Sequence, residues 1–592
     1  MFKTLRQPIN IIFLIQVVVV FLVAFGVWPR VLIFPLAVLI ALFVLWTDLE
    51  TSTAFFIRSV PLFVALPLTS YFDSFNIWRI ASGLIFLKWF YKLNRGAVGT
   101  VFAKSFKGGG EQFLRACRDK NFVHRSLVLI KKYPLAFLLG IFILLSLLSL
   151  PVAEDLFTGV KRIIYLVNLS LVPLVIYDLI KKNSTLTKKF LGNILISGTI
   201  VAGAGLVQLI STYLMSVDAF LYFWGNTVQL GFYGSQWADI AMEANTWFAY
   251  FGNQLSLRIF STFTDSHSFP LYLLMTIPAL LTLALHKVFN NQAEAGVGTV
   301  FVKTGLNKNY VHRRPLEIDF KKLIQTRASW LITLLPVFYL LAILSGTRGI
   351  WLAVLGPFLC LPFLIRKAGQ AEKNILKYLG LLLIPFLILF SVAFPIMGSD
   401  QFGLQKGDNQ ILGERIRSII DLEETSNNGR LAIWKKTVAS IIHHPLLGVG
   451  IGNFPTVLSQ STDLAKAGSS AHNLYLHIAA EIGLIGLLAA LGILAIILKR
   501  SWSIFTRANQ PYTHSKIPER GVEGREWVGM ADWPSLKIYA AAFILYSLWV
   551  LFYSLTDAVL FDERAFLVFA INSAVILGLN NYIQPKEKPF TG

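Results

Sequence analysis

Apolar residues in this chain gather into long uninterrupted runs instead of alternating or recurring once per helical turn. Ile11 to Trp28, Leu135 to Ala153, Phe190 to Leu209, Tyr378 to Met397 and Ile538 to Leu555 are examples. A helix of about 20 such residues crosses about 30 Å of hydrocarbon. The pattern predicts helices over 8–28, 30–46, 54–71, 76–92, 133–153, 162–180, 190–212, 264–286, 329–346, 349–365, 378–397, 471–498, 537–556 and 564–583. No polar tract between them would house a soluble domain, so residues 1–592 read as a single all-α, polytopic membrane domain of about 12–14 spans. The first run follows Met1-Phe2-Lys3-Thr4-Leu5-Arg6 and leads almost directly into the second. Without a small-residue cleavage site there, it is expected to be a retained helix.

Polar positions give this path a direction. The connection 93–132 carries nine Lys/Arg, 287–328 carries eight and the stretch Lys181 to Lys189 carries four. The connection 213–263 carries Arg258 alone. Basic loops stay on the cytoplasmic side, so the threading places both termini inside and 213–263 outside. Two long connections then lie on the outer face. The segment 213–263 is rich in Trp, Tyr and Phe, and reads either as a sugar-stacking surface or lid, or as an interfacial aromatic belt. The segment 398–470 is polar, with turn chemistry at Lys406-Gly407-Asp408-Asn409 and Ser426-Asn427-Asn428-Gly429. Long loops in a compact bundle tend to carry function.

The cytoplasmic connections 93–132, 287–328 and 499–536 hold repeat-like insertions. Gly96 to Lys104 is echoed by Ala295 to Lys303, and Lys120 to Arg125 by Lys308 to Arg313, with a weaker echo at Gly521 to Gly529. A tolerated insertion is favoured over a paired binding element, because both copies lie away from the outer face and match no solenoid period.

Composition narrows the class. Hydrophobic residues make up 55% and charged residues 14%, with mean hydropathy +0.63. The formal net charge of +21 suits cytoplasmic loops that meet anionic membrane lipids, and nucleic acid is not an expected partner. The two cysteines, Cys117 and Cys360, suggest no disulfide framework, metal site or haem site.

Outer-face arginines are the exceptions to the charge pattern. Arg258 precedes the run near Thr264, Arg348 sits in the minimal turn Ser345-Gly346-Thr347-Arg348-Gly349, and Arg430 lies in the second outer loop. Each alone reads as a snorkelling side chain. Together at one face they fit an anionic ligand, since a guanidinium forks onto phosphate. His472, where the second outer loop enters a helix, is either a general base or a helix-start polar residue. His477, about 140° further around, makes a poor metal chelate with it. Neither a Walker loop, a nucleophile elbow nor a His-Glu-x-x-His helix is present.

Several of these stretches resemble the O-antigen ligase/polymerase (Wzy/WaaL-like) family. The resemblance rests on Arg430-Leu431-Ala432-Ile433-Trp434, His444 to Phe454, Ala471-His472-Asn473-Leu474-Tyr475 and Glu481 to Leu487. Upstream, Arg258 to Phe263 and Ser345 to Leu352 are similar to two further signatures, and the likeness covers about residues 190–500. It implies a GT-C-type membrane glycosyltransferase of the bacterial inner membrane, working on the periplasmic face without a cofactor or metal. The donor would be a glycan on a polyprenyl diphosphate, and the acceptor another glycan, a lipid or a protein. His472 would be the base, with Arg258, Arg348 and Arg430 on the diphosphate. Thr264-Asp265-Ser266-His267-Ser268 stands where the family often has Asn-Pro-Asn, which makes Asp265 and His267 secondary candidates beside Asn473 and Tyr475. One displacement at the anomeric carbon implies inversion. Ligase and polymerase share donor and fold, so both stay open. The rivals from other classes are a lipid-linked glycan transporter or flippase and a non-catalytic glycan-assembly protein.

Overall fold

In a computed structural model the chain is described at residues 7–68, 76–97, 134–243, 246–251, 254–294, 300–302, 310–312, 329–403, 425–462, 469–507 and 533–582. Every predicted run falls on helix, and all but one lie close to their expected bounds. In chain order the main helices are α1 Pro8–Ala24, α2 Ile33–Trp46, α3 Leu49–Ser59, α4 Ile77–Ala97, α5 Pro134–Leu148, α6 Leu156–Lys182 and α7 Leu186–Ser211. They continue as α8 Ser268–Glu294, α9 Leu334–Leu344, α10 Arg348–Lys367 and α11 Glu372–Gly403. The last four are α12 Thr425–His443, α13 Leu474–Arg507, α14 Trp533–Tyr553 and α15 Glu563–Leu579. Nine helices among the described residues are long and apolar enough to cross a membrane, and three shorter ones are apolar. The protein is an all-α polytopic membrane protein.

The bundle has a dry centre and a greasy rim. Of the apolar stretch of α8, 94% is buried, whereas only 11% of the α5 stretch is. On α5, Leu139, Ile143 and Leu144 face outward, as lipid-contacting side chains do when helices satisfy their own backbone. Helix α8 packs on α14, α7 and α9, α6 packs on α15, and α13 lies between α5 and α14.

The run 54–71 departs from expectation. Helix α3 stops at Ser59 and a single tight turn follows at Val60–Leu62, where Pro61 lacks the N–H a continuing helix needs. Phe63, Val64, Ala65 and Leu66 then run non-helically through the interior. Non-helical backbone at that depth needs protein partners. Arg564 Nη2 donates to Phe63 O at 2.7 Å, Arg30 Nη2 to Ala65 O at 3.1 Å, and Ala65 N to Phe232 O at 2.9 Å.

The segment 213–263 is mostly ordered elements: short helices, a π-helical turn at Leu221–Gln229, and an antiparallel hairpin of β1 Phe248–Phe251 and β2 Gln254–Leu257. Phe220, Trp224, Phe232 and Trp247 are buried, and Trp247 stacks on Phe260 at 4.3 Å between ring centres. These rings form core, not exposed surface. Within the second inner insertion, β3 Val300–Val302 pairs with β4 Tyr310–His312. The remaining repeat residues, 98–104, 120–125, 295–299, 303, 308–309, 313 and the echo Gly521 to Gly529, lie outside the described residues.

Helix α13 is broken at Gly483. Gly483 adopts φ 79°, and a Cβ there would stand 2.1 Å from Leu446 O. Only glycine combines that dihedral with that approach. The carbonyls freed by the break are taken up: Val449 N donates to Ala480 O at 2.8 Å and Gly450 N to Glu481 O at 3.0 Å. The Gly448-Val449-Gly450-Ile451-Gly452 motif is thus the partner of a helix break.

Candidate active site

Arg258 follows directly on β2. Its backbone N–H donates to Trp247 O at 2.8 Å, and that of Ile259 to Leu344 O at 3.2 Å, which moors this strand to the end of α9. Gln208 Oε1 on α7 accepts from Phe260 N and Ser261 N, both at 2.9 Å. Those bonds hold Ser261 at φ 55°, a region serine seldom occupies. The Arg258 side chain therefore lies over the turn between α9 and α10. Its Nε donates to Ser345 O at 3.3 Å, and Nη2 reaches Thr347 Oγ1 at 3.5 Å. Gly346 (φ 63°) makes this approach possible, because a Cβ would come within 2.9 Å of Arg258 Cγ.

The same turn begins α10 with Arg348. Arg430 arrives on α12, which Trp434 anchors by donating from Nε1 to Ala471 O at 2.8 Å. Burial lowers the Arg258 guanidinium to about 10; Tyr553 and Asp265 oppose the fall, and the charges of Arg348 and Arg430 add to it. All three arginines therefore share one electrostatic neighbourhood, a field suited to an anion.

Asp265 caps α8. Its Oδ1 accepts from His267 N at 2.8 Å and Ser268 N at 2.9 Å, and Oδ2 accepts from Ser268 Oγ at 3.1 Å. The cap sets His267 just ahead of α8, with Nδ1 2.8 Å from Asp557 Oδ2 and Nε2 3.4 Å from Arg258 Nη2. His267 Nδ1–H donates to Asp557, and Nε2 faces the Arg258 guanidinium.

Asp557 lies in the turn joining α14 to α15. Burial opposes its charge, but His267 and then His472 outweigh it and hold the carboxyl well below the usual range. Three bonds bring His472 to this turn. Leu474 N donates to Ser554 O at 2.9 Å, Asn473 Nδ2 to Leu555 O at 2.9 Å, and Tyr475 OH to Leu551 O at 2.8 Å. Asn473 also begins α13, its Oδ1 accepting from Tyr475 N and Leu476 N at 3.0 Å each.

His472 itself stands at φ 44°, backbone strain of the sort that persists where surrounding bonds over-determine it. Its Nδ1 is 3.8 Å from Asp557 Oδ1, an ion-pair distance too long for a hydrogen bond, and that nitrogen has no hydrogen-bond partner. Its side chain is 34% exposed, against 18% for His267. His472 is the more accessible histidine and His267 the more enclosed one, beside Arg258.

His477 plays a supporting part. It is clamped between Phe454 and Phe561 at 4.5 and 4.6 Å, lies 3.2 Å from Glu481, and accepts from Ala471 N at 3.3 Å.

The structure thus gathers Arg258, Arg348, Arg430, Asp265, His267, His472 and Asn473 at one end of the bundle. Tyr475 turns its hydroxyl into α14. Sequence reasoning passed over Asp557 and Tyr553, whose hydroxyl is 3.4 Å from both Asp557 Oδ2 and His267 Nδ1. The available signal was position: Asp557 stands between the last two apolar runs, on the side already assigned to the arginines. A search of the curated proteins gives no match. Residues 331–491 match the family described as O-Antigen ligase, a stretch holding Arg348, Arg430 and His472 but neither Arg258 nor Asp557. That stretch of the chain is similar to an O-antigen ligase domain.

Proposed function

We propose that the protein transfers a glycan from a polyprenyl diphosphate carrier to an acceptor hydroxyl, with inversion at the anomeric carbon. The observation carrying this reading is the pairing of His472 with buried, ionised Asp557 beside three arginines. The O-antigen ligase domain supports a membrane protein that handles lipid-linked glycans.

In this mechanism His472 Nε2 takes the proton of the acceptor hydroxyl while that oxygen bonds to the anomeric carbon. The bond from that carbon to the diphosphate oxygen breaks, and its electron pair leaves with the diphosphate. Arg258, Arg348 and Arg430 stabilise the charge that develops there, the kind of interaction that strengthens in the transition state. Asp557 stabilises the imidazolium through Nδ1, and the proton then passes to solvent. General-base help of this sort is worth about 10²–10⁴ in rate. The site end faces the periplasm, with both termini in the cytoplasm, as the distribution of Lys and Arg directs. The acceptor is a glycan, a lipid or a protein.

A deletion strain complemented with wild type or His472→Ala tests the reading through its surface-glycan profile. Rescue by wild type and failure of the variant at equal membrane abundance are expected. Long chains left on the carrier lipid would then mark a ligase, and single repeat units a polymerase. Equal rescue by both would move a transport or assembly role ahead.

A further inference from the structure

Two further arginines sit at the site end, on the other flank of the α14–α15 turn. Arg79 opens α4, its Cζ 5.4 Å from the Trp78 ring centre and 5.6 Å from that of Tyr165. Arg162 lies near the start of α6, its Cζ 5.2 Å from the Tyr165 ring centre and 4.6 Å from that of Phe561. The Phe561 ring also lies 4.6 Å from His477, so it separates this pair from the start of α13.

Aromatic rings flank both guanidiniums, and the charges of Arg79 and Arg162 are felt by Glu563 and Glu481 respectively. Among the described residues neither donates a side-chain hydrogen bond or joins an ion pair, and Arg79 Nε is buried without a partner. The carboxylates on this flank make their hydrogen bonds to other groups. Glu563 accepts from Trp78 Nε1 at 2.9 Å, Asp562 caps α15 through Arg564 N and Ala565 N, and Glu481 faces His477. Contact with a ring face leaves the in-plane N–H groups of an arginine available. Donors removed from water and left unmet cost free energy, and a planar or tetrahedral oxyanion meets them in forked fashion.

We propose that Arg79 and Arg162 form a second oxyanion subsite, which takes a phosphate or carboxylate substituent of the acceptor glycan. This rests on the transferase reading above, in which Arg258, Arg348 and Arg430 already serve the donor diphosphate. The second pair lies across the Asp557–Glu563 turn from them, and an acceptor held there presents its hydroxyl toward His472 from the side opposite the leaving group.

The test is a calorimetric titration of the full-length protein in phosphatidylcholine nanodiscs with inorganic phosphate. Wild type should bind two equivalents and R79Q/R162Q one. R79K/R162K should keep the wild-type melting temperature and bind the second equivalent about tenfold more weakly, because lysine keeps the charge and loses the fork. Two full-strength equivalents in both of these variants overturn the subsite. If R258Q/R348Q keeps two equivalents while R79Q/R162Q keeps one, the second subsite stands and the donor assignment falls. In phosphatidylglycerol nanodiscs the Arg79/Arg162 equivalent should persist. Its disappearance there overturns the acceptor assignment in favour of a lipid headgroup.

Discussion

The carboxylate of Asp557, from the turn between α14 and α15, lies 2.8 Å from Nδ1 of His267, the residue just before α8. The contact joins two elements that lie far apart in sequence. It also leaves the second carboxylate oxygen facing His472, so one carboxylate faces two histidines. Burial alone would raise an aspartate, and the histidines reverse that effect.

Asp557→Asn should therefore keep the shape of the site and lose its charge. The amide cannot stabilise an imidazolium at His472, so kcat should fall by about 10²–10⁴, with donor KM within about twofold. The measurement is steady-state transfer with purified protein at saturating donor. Wild-type kcat would show that Asp557 only orients His267.

Arg258 is held by Ser345 O and Thr347 Oγ1, and in the proposed mechanism its guanidinium meets the diphosphate. Arg258→Lys preserves charge and removes the fork, and should lower kcat/KM by about 10²–10³. Arg258→Gln should cost more. Equal kinetics for Lys and wild type would reduce the role of this residue to a point charge.

Gly483 tests the helix break separately from the chemistry. Gly483→Ala places a Cβ about 2 Å from the Leu446 carbonyl at a positive φ, and strain of this kind costs on the order of 1–3 kcal/mol. A drop in melting temperature and in membrane abundance is expected. Unchanged stability would show that the break relaxes.

Asp562 offers a pH dependence of known sign. Burial and then the nearby charge of Asp265 raise its carboxyl to about 7, against the Ala565 N–H that favours ionisation. The folded state thus holds a proton that the unfolded state releases near pH 4, so this residue makes stability fall as pH rises from about 4 to 7. Asp562→Asn, which still caps α15, should melt roughly 2–4 °C above wild type at pH 8 and level with it at pH 4. A variant that melts below wild type at pH 8 would show that the ionised cap dominates.

Much of this was legible in the runs themselves. Lipid makes an apolar helix readable from length alone, which is why α5, α6, α7 and α13 fall where expected. The 54–71 run misled because its apolar residues serve an interior, non-helical stretch that Arg564 and Arg30 satisfy from 501 and 35 residues away, partners that no local pattern announces. The aromatic segment 213–263 misled similarly, since Trp and Phe look alike in sequence whether they line a belt or fill a core. Arg258, Arg348 and His472 stood out because charge on the side expected to be outer breaks a rule. Asp557 broke no rule, and only the close approach of two histidines reveals its part.

The most direct test of the central claim is transfer from a polyprenyl-diphosphate-linked glycan by purified full-length protein in nanodiscs, comparing wild type with His472→Ala. The expected result is at least a hundredfold loss of transfer with donor binding retained, and product of inverted anomeric configuration from wild type. Transfer by His472→Ala at the wild-type rate would contradict the account.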